Sequence, residues 1–106
     1  MDFEDLASRL GIDNEDFREL VELFIATTQS DMEKIRQALA DRNPADAGAA
    51  AHSIKGAAGN LGFEDMAKLA ETMESQGKDG SLNGFDAYTS EMDGYVTRLQ
   101  EKLSGD

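Results

Sequence analysis

The chain has 106 residues, no cysteine, one histidine and one proline, and its 22 acidic residues against 10 basic ones give a formal net charge of −12. The lack of cysteine excludes disulfides, thiolate metal sites and a cysteine nucleophile, and the single histidine excludes any chemistry that needs two. The acidic charge argues against binding to nucleic acid or to an anionic membrane surface, because both rely on cationic side chains. Since the composition is that of a globular protein and no apolar run is long enough to span a bilayer, we expect one domain over residues 1–106, in the cytoplasm.

Apolar residues recur at helical spacing along almost the whole chain, and no alternating stretch is long enough to be a strand. The pattern predicts five helices, over about 3–10, 14–41, 44–61, 63–76 and 85–103. Short connections between four long amphipathic helices favour antiparallel neighbours. We therefore expect an all-α fold, an antiparallel up-down-up-down four-helix bundle with the short N-terminal helix over one end.

Residues that favour helix ends set these boundaries. Asp13 is expected to cap the start of the second helix, and Asn43 followed by proline separates the second helix from the third. Gly11, Gly62 and Gly77 are expected to end the first, third and fourth helices, because glycine adopts the left-handed conformation that follows many helices. On the first two helices the apolar stripes predicted to face inward are Phe3, Leu6 and Leu10, and Phe17, Leu20, Val21, Phe24, Ile25, Thr28, Met32, Ile35 and Leu39.

The single histidine, His52, lies on the third predicted helix, with Lys55 and Gly56 one turn further along. His52 points away from the alanine-rich face that is expected to turn inward, so the imidazole should be exposed beside the Lys55 ammonium. Gly56 and Gly59 each cost roughly 0.8–1 kcal/mol relative to alanine in a helix interior. They indicate that another molecule approaches this face closely, and close packing of a neighbouring helix on the glycines is the structural alternative.

An exposed imidazole without a second histidine, a thiol or a paired hydroxyl is a poor start for a hydrolase, but it can act alone as a phosphoryl acceptor. Lys55 could offset the charge of the transferring phosphoryl oxygens. The magnesium ion and the acid–base groups would then belong to a partner. The residues therefore favour a phosphoryl carrier rather than an enzyme, with no metal site and no cofactor of its own.

The run His52-Ser53-Ile54-Lys55-Gly56, followed by Gly59-Asn60-Leu61-Gly62, resembles the signature of histidine-containing phosphotransfer (HPt) domains. The resemblance extends over nearly the whole chain. It implies a four-helix bundle whose exposed histidine receives a phosphoryl group from the aspartate of a receiver domain and passes it to another. The partners it implies are receiver domains of response regulators and hybrid histidine kinases.

The resemblance also assigns roles to residues. By position, His52 would be phosphorylated, Lys55 would stabilise the phosphoryl group, and Gly56 and Gly59 would leave room for the receiver. Glu74 would hydrogen-bond one ring nitrogen and leave Nε2 free to attack, because such a bond fixes the tautomer.

Alternatives remain for the hydrogen-bond partner of the imidazole and for the docking surface. Glu71 is the fallback for Glu74, and Ser53, Asn60 and Lys68 are candidates for the surface that selects the receiver. We expect a monomer that binds neither nucleic acid nor membrane.

Two other functions stay open. One is an acidic helical bundle that binds or inhibits a partner with no chemistry at His52. The other is a phosphotransfer domain that a kinase domain phosphorylates directly, because the run around His52 is also similar to the domain at the start of chemotaxis kinases.

Overall fold

The computed structural model describes residues 2–105. These residues form five helices and no strand, which confirms the all-α prediction: α1 (Phe3–Leu10), α2 (Asn14–Ala40), α3 (Pro44–Leu61), α4 (Glu64–Lys78) and α5 (Phe85–Gly105). α3 packs against both α2 and α4, α5 contacts the same two helices, and α1 lies against α2. The four long helices therefore surround one core, and α3 and α4 are close neighbours.

Most helix ends follow from their capping residues. The side chains of Asp13 and Asn43 each accept a hydrogen bond from a backbone N–H of the first helical turn, of α2 and α3 respectively. α1 and α3 end at Gly11 and Gly62, whose φ angles of 73° and 82° are in the left-handed region that glycine adopts without strain.

The end of α4 differs from the prediction, because Gly77 is a packing residue and does not stop the helix. α4 continues through Lys78, and Gly77 is buried against α3. A Cβ atom on Gly77 would lie 2.6 Å from the Pro44 carbonyl oxygen and 2.8 Å from backbone atoms of Gly48. Glycine at this crossing lets the backbones of α3 and α4 come closer than a side chain would allow.

Apolar side chains from all five helices form the core, and the largest fully buried ones are Phe17, Phe85, Met32, Ile35, Ile54, Met66, Met73, Met92 and Leu99. The inward prediction is wrong at Leu10 and Leu20, which are 42% and 41% exposed. Leu10 is the last residue of α1, and Leu20 lies at the margin of the stripe on α2. α2 also buries the carboxylate of Asp31 on its inner face.

Within residues 2–105, none of the helices has both the length and the apolar character needed to cross a membrane.

Candidate functional site

His52 lies near the middle of α3 and faces outward. The opposite side of the helix is buried through Ala51, Ile54 and Ala58, so the imidazole is directed away from the core. The His52 side chain is 66% exposed. A partner can therefore reach the ring without any rearrangement of the bundle.

A buried carboxylate on the neighbouring helix holds the imidazole. Glu74 of α4 is only 6% exposed, and its Oε2 lies 2.6 Å from Nδ1 of His52. An ionised carboxylate only accepts hydrogen bonds, so this contact places the ring proton on Nδ1 in the neutral imidazole. The lone pair is then on Nε2, which is the nitrogen left available for chemistry.

Two lysines share the same carboxylate. Lys55 of α3 places its Nζ 2.6 Å from Oε1 of Glu74, and Lys78 places its Nζ 3.2 Å from Oε2. The hydrogen bond from Lys55 is the largest cause that lowers the pKa of Glu74 to about 2; bonds from Lys78 and His52 act in the same direction, and desolvation opposes them. The hydrogen bond to Glu74 in turn raises the pKa of Lys55. Glu74 is therefore an anion at neutral pH, despite its burial.

Lys78 is a member of this cluster that sequence reasoning missed. It lies one turn after Glu74 on α4, at the i,i+4 spacing that commonly forms ion pairs on a helix. The spacing is visible in the sequence, but it indicates a role for Lys78 at the site only because Glu74 contacts the imidazole.

The glycines beside His52 are open to solvent. A Cβ atom on Gly56 or Gly59 would meet nothing within 4 Å, so no neighbouring helix packs on them. The packing alternative is therefore wrong for these two glycines, and it applies instead to Gly48 and Gly77. The helix beside the imidazole presents a bare backbone surface.

The remaining candidate residues are exposed on the same two helices. Ser53 and Asn60 are exposed on α3, and Lys68 is exposed on α4. Glu71 is also exposed, and its negative charge contributes to the raised pKa of Lys55, whereas the carboxylate bonded to His52 is that of Glu74. The structure thus brings together His52, Lys55 and Glu74.

The close crossing of α3 and α4 explains why these groups meet. Gly48 is one helical turn before His52 on α3, and Gly77 is one turn after Glu74 on α4. The contact between the two glycines is therefore adjacent to the contact between the imidazole and the carboxylate. We infer that the glycine pair sets the spacing at which Nδ1 reaches Glu74.

The ionised Glu74 should make stability depend on pH. Its pKa is about 2 in the folded protein and 4.5 ordinarily, so the unfolded chain takes up the proton first as the pH falls. The stabilisation is complete above about pH 5 and is lost as the pH falls to about 2. We expect Glu74→Gln to lower the free energy of unfolding at pH 7 by about 1–3 kcal/mol and to flatten its decline in acid.

Urea unfolding of both proteins between pH 2 and pH 7 measures this. The control is Glu71→Gln, an exposed carboxylate on the same helix, which should change stability by less than about 0.5 kcal/mol. Parallel pH profiles for Glu74→Gln and the unsubstituted protein would contradict the expectation.

Within residues 2–105 the chain is an all-helical bundle with an exposed, carboxylate-bonded histidine, and comparison with known proteins gives its family. The model of the Hpt domain family matches residues 19–103, so the chain belongs to the Hpt domain family of histidine phosphotransfer carriers in two-component phosphorelays. It is also similar in structure to histidine-containing phosphotransfer protein B (HptB) from Pseudomonas aeruginosa PAO1. The TM-score is 0.85 at 20% sequence identity, over 99% of this chain and 91% of that chain, a likeness that shows the fold. A search of curated protein sequences found no significant match.

Proposed function

We propose that this chain accepts a phosphoryl group on His52 from the aspartyl phosphate of one receiver domain and passes it to the aspartate of another. One observation carries the proposal: an imidazole that is 66% exposed has its Nδ1 bonded to a buried carboxylate. This arrangement presents Nε2 to a partner as a nucleophile of fixed orientation.

The transfer step uses few groups of this chain. The lone pair of Nε2 forms the N–P bond while the O–P bond of the aspartyl phosphate breaks, and that bonding pair leaves with the aspartate carboxylate. The proton stays on Nδ1, where Glu74 accepts its hydrogen bond and balances the positive charge that the ring gains. The aspartate and the magnesium ion belong to the receiver in this scheme.

Lys55 is proposed to stabilise the phosphoryl oxygens. Its ammonium lies beside the imidazole, on the opposite oxygen of the same carboxylate. We expect Lys55→Ala to slow transfer by about tenfold or more, because a cation next to the developing charge is lost. The fold should persist, since Lys78 and His52 still bond Glu74.

Quench-flow measurement of transfer from a phosphorylated receiver tests this expectation. Lys102→Ala removes an exposed lysine from α5 and serves as the control. Equal transfer rates for the two variants would refute the role of Lys55.

Gly56 and Gly59 are proposed to give the receiver access to the ring. A Cβ atom at Gly56 would meet nothing within 4 Å, and leucine has a better helix propensity than glycine, so Gly56→Leu should fold at least as stably. The added side chain projects where the receiver must approach, and we expect receiver affinity to fall by about tenfold or more.

Ala87→Leu, at an exposed position of α5, is the matched control for added bulk. Calorimetric titration with a receiver domain and thermal unfolding separate the two effects. A loss of stability without a loss of affinity would count against this role.

We further propose that residues 1–106 form a single monomeric domain that acts in the cytoplasm, with Ser53, Asn60 and Lys68 in the receiver-docking surface.

The order of the helices in the bundle is also part of the proposal. The helix contacts favour an antiparallel up-down-up-down order, because α2 and α4 each contact both α3 and α5. α1 against α2 is the short additional helix.

A relay assay tests the function. The chain is incubated with radiolabelled phosphorylated receiver domains from the same genome, and then with a second, unphosphorylated receiver. We expect an acid-labile, base-stable label on the chain that passes to the second receiver. Binding without any label would favour the acidic bundle, and labelling only by a kinase domain would favour the chemotaxis-kinase type.

A further inference from the structure

A groove between α2 and α3 runs beside His52 and is not explained by the transfer chemistry. Its volume is about 410 Å³. Ala49 and Ser53, which lie on either side of His52 in the α3 sequence, line it. A protein that docks over His52 therefore also reaches this groove.

The wall of the groove contains a buried carboxylate whose charge is poorly compensated. The Asp31 side chain is 7% exposed, and its Oδ2 is shielded from solvent without a hydrogen-bond partner. Lys34 also lines the groove, but its Nζ is 3.9 Å from Oδ1, and the Lys34 side chain is 69% exposed. A solvated ammonium at that distance offsets little of the cost of burying an anion.

The other polar groups leave the groove negative. Asp41 accepts hydrogen bonds from the Gln37 amide at 3.1 and 3.2 Å, and Asp46 accepts one from the Asn43 amide at 2.8 Å. These amide donors are neutral, so they orient the two carboxylates without cancelling their charge. The residues that line the groove thus include three carboxylates and one ammonium, that of Lys34, so the groove attracts a further cation.

The apolar part of the groove favours a planar cation. Ala38, Ala49 and Ala50 line it together with the charged groups and give it an apolar wall. A guanidinium can lie with its face on such a wall while its N–H groups point outward to carboxylates, whereas an ammonium is a compact, strongly hydrated charge.

We propose that this groove binds an arginine side chain of the receiver domain that docks on His52, and that Asp31 selects for it. The assignment rests on the proposed function, because that function supplies the docked receiver. Asp31 would act in partner choice, away from the transferred phosphoryl group.

Titration of the full chain with N-acetyl-L-arginine amide, followed by amide chemical shifts in NMR, tests the groove without any phosphoryl transfer. We expect saturable shifts along the groove in the unsubstituted protein and in Glu33→Gln, which removes an exposed charge from the same helix. In Asp31→Asn the affinity should fall by about tenfold or more. Absence of saturable shifts, or equal affinity in Asp31→Asn, would overturn the proposal.

Two further measurements distinguish an arginine site from a magnesium site and from a structural role of Asp31. Magnesium chloride is titrated in parallel, and saturable shifts with magnesium but not with the arginine amide would overturn the arginine assignment. Thermal unfolding of Asp31→Asn should give an equal or higher Tm, because the substitution removes a buried charge that only the distant, exposed ammonium of Lys34 offsets. A lower Tm together with weaker binding would assign Asp31 a structural role instead.

The titration also separates this proposal from the function it rests on. If no receiver labels His52 but the arginine amide still binds the groove, the phosphoryl transfer fails and the groove stands as a cation site. If labelling succeeds and the groove binds no arginine amide, only the present inference fails.

Discussion

His52→Gln is expected to abolish phosphoryl acceptance and to leave the fold unchanged. His52 is the single histidine of the chain, so no other imidazole can take the phosphoryl group. The side chain is 66% exposed, and a glutamine amide can still donate a hydrogen bond to Glu74, so stability should change by less than about 1 kcal/mol. Transfer of radiolabel from a phosphorylated receiver and thermal unfolding measure the two expectations.

The same variant separates the carrier from the acidic binding bundle. A carrier without its histidine should still bind the receiver, because the docking surface around Gly56 is untouched, but it should no longer support signalling in a cell. A biological effect that persists in His52→Gln would favour the binding bundle, and label that persists would place the phosphoryl group on another residue.

Gly77→Ala is expected to destabilise the protein by about 1–3 kcal/mol and to slow phosphoryl transfer. The new Cβ would lie 2.6 Å from the Pro44 carbonyl oxygen and 2.8 Å from the backbone of Gly48. Because the clashing atoms belong to the backbone, the clash is removed only if α3 and α4 move apart. Because this crossing is one turn from the contact of His52 with Glu74, the separation should also lengthen that contact. Chemical denaturation and the rate of label transfer report the two effects.

Gly59→Ala provides the matched control within the bundle. Its Cβ would meet nothing within 4 Å, so alanine should stabilise α3 by roughly 0.8–1 kcal/mol through its better helix propensity. The two glycine-to-alanine substitutions are thus expected to change stability in opposite directions. Stabilisation by both would show that α3 and α4 leave room for a Cβ atom at Gly77, contrary to the 2.6 Å distance to the Pro44 carbonyl oxygen.

Helix boundaries were predictable where a local signal defines them. Asp13 and Asn43 cap the helices that they were expected to cap, and Gly11 and Gly62 end theirs, because capping depends only on residues within one turn. The prediction failed at Gly77, since a glycine that ends a helix and a glycine that packs against another helix look alike in sequence. Only the contact with Gly48 distinguishes them.

The candidate site was predictable to a similar extent. Helical periodicity was enough to place His52 outward with Lys55 beside it, because both lie on one helix. The choice between Glu71 and Glu74 depends on how α4 is rotated and shifted against α3, and packing determines this. Asp31 is buried on α2. Its burial likewise depends on how α2 packs against α3, which the sequence of α2 alone does not determine.

In the proposed function, His52 carries the phosphoryl group on Nε2 while Glu74 holds the proton at Nδ1. Phosphorus and nitrogen NMR of the phosphorylated chain, labelled with ¹⁵N in histidine, tests it directly, because a single histidine gives one pair of ring signals. We predict that phosphorus couples to Nε2 and that Nδ1 carries the proton. Coupling of phosphorus to Nδ1, or a phosphorylated chain whose ring nitrogens show no coupling to phosphorus, would contradict the claim.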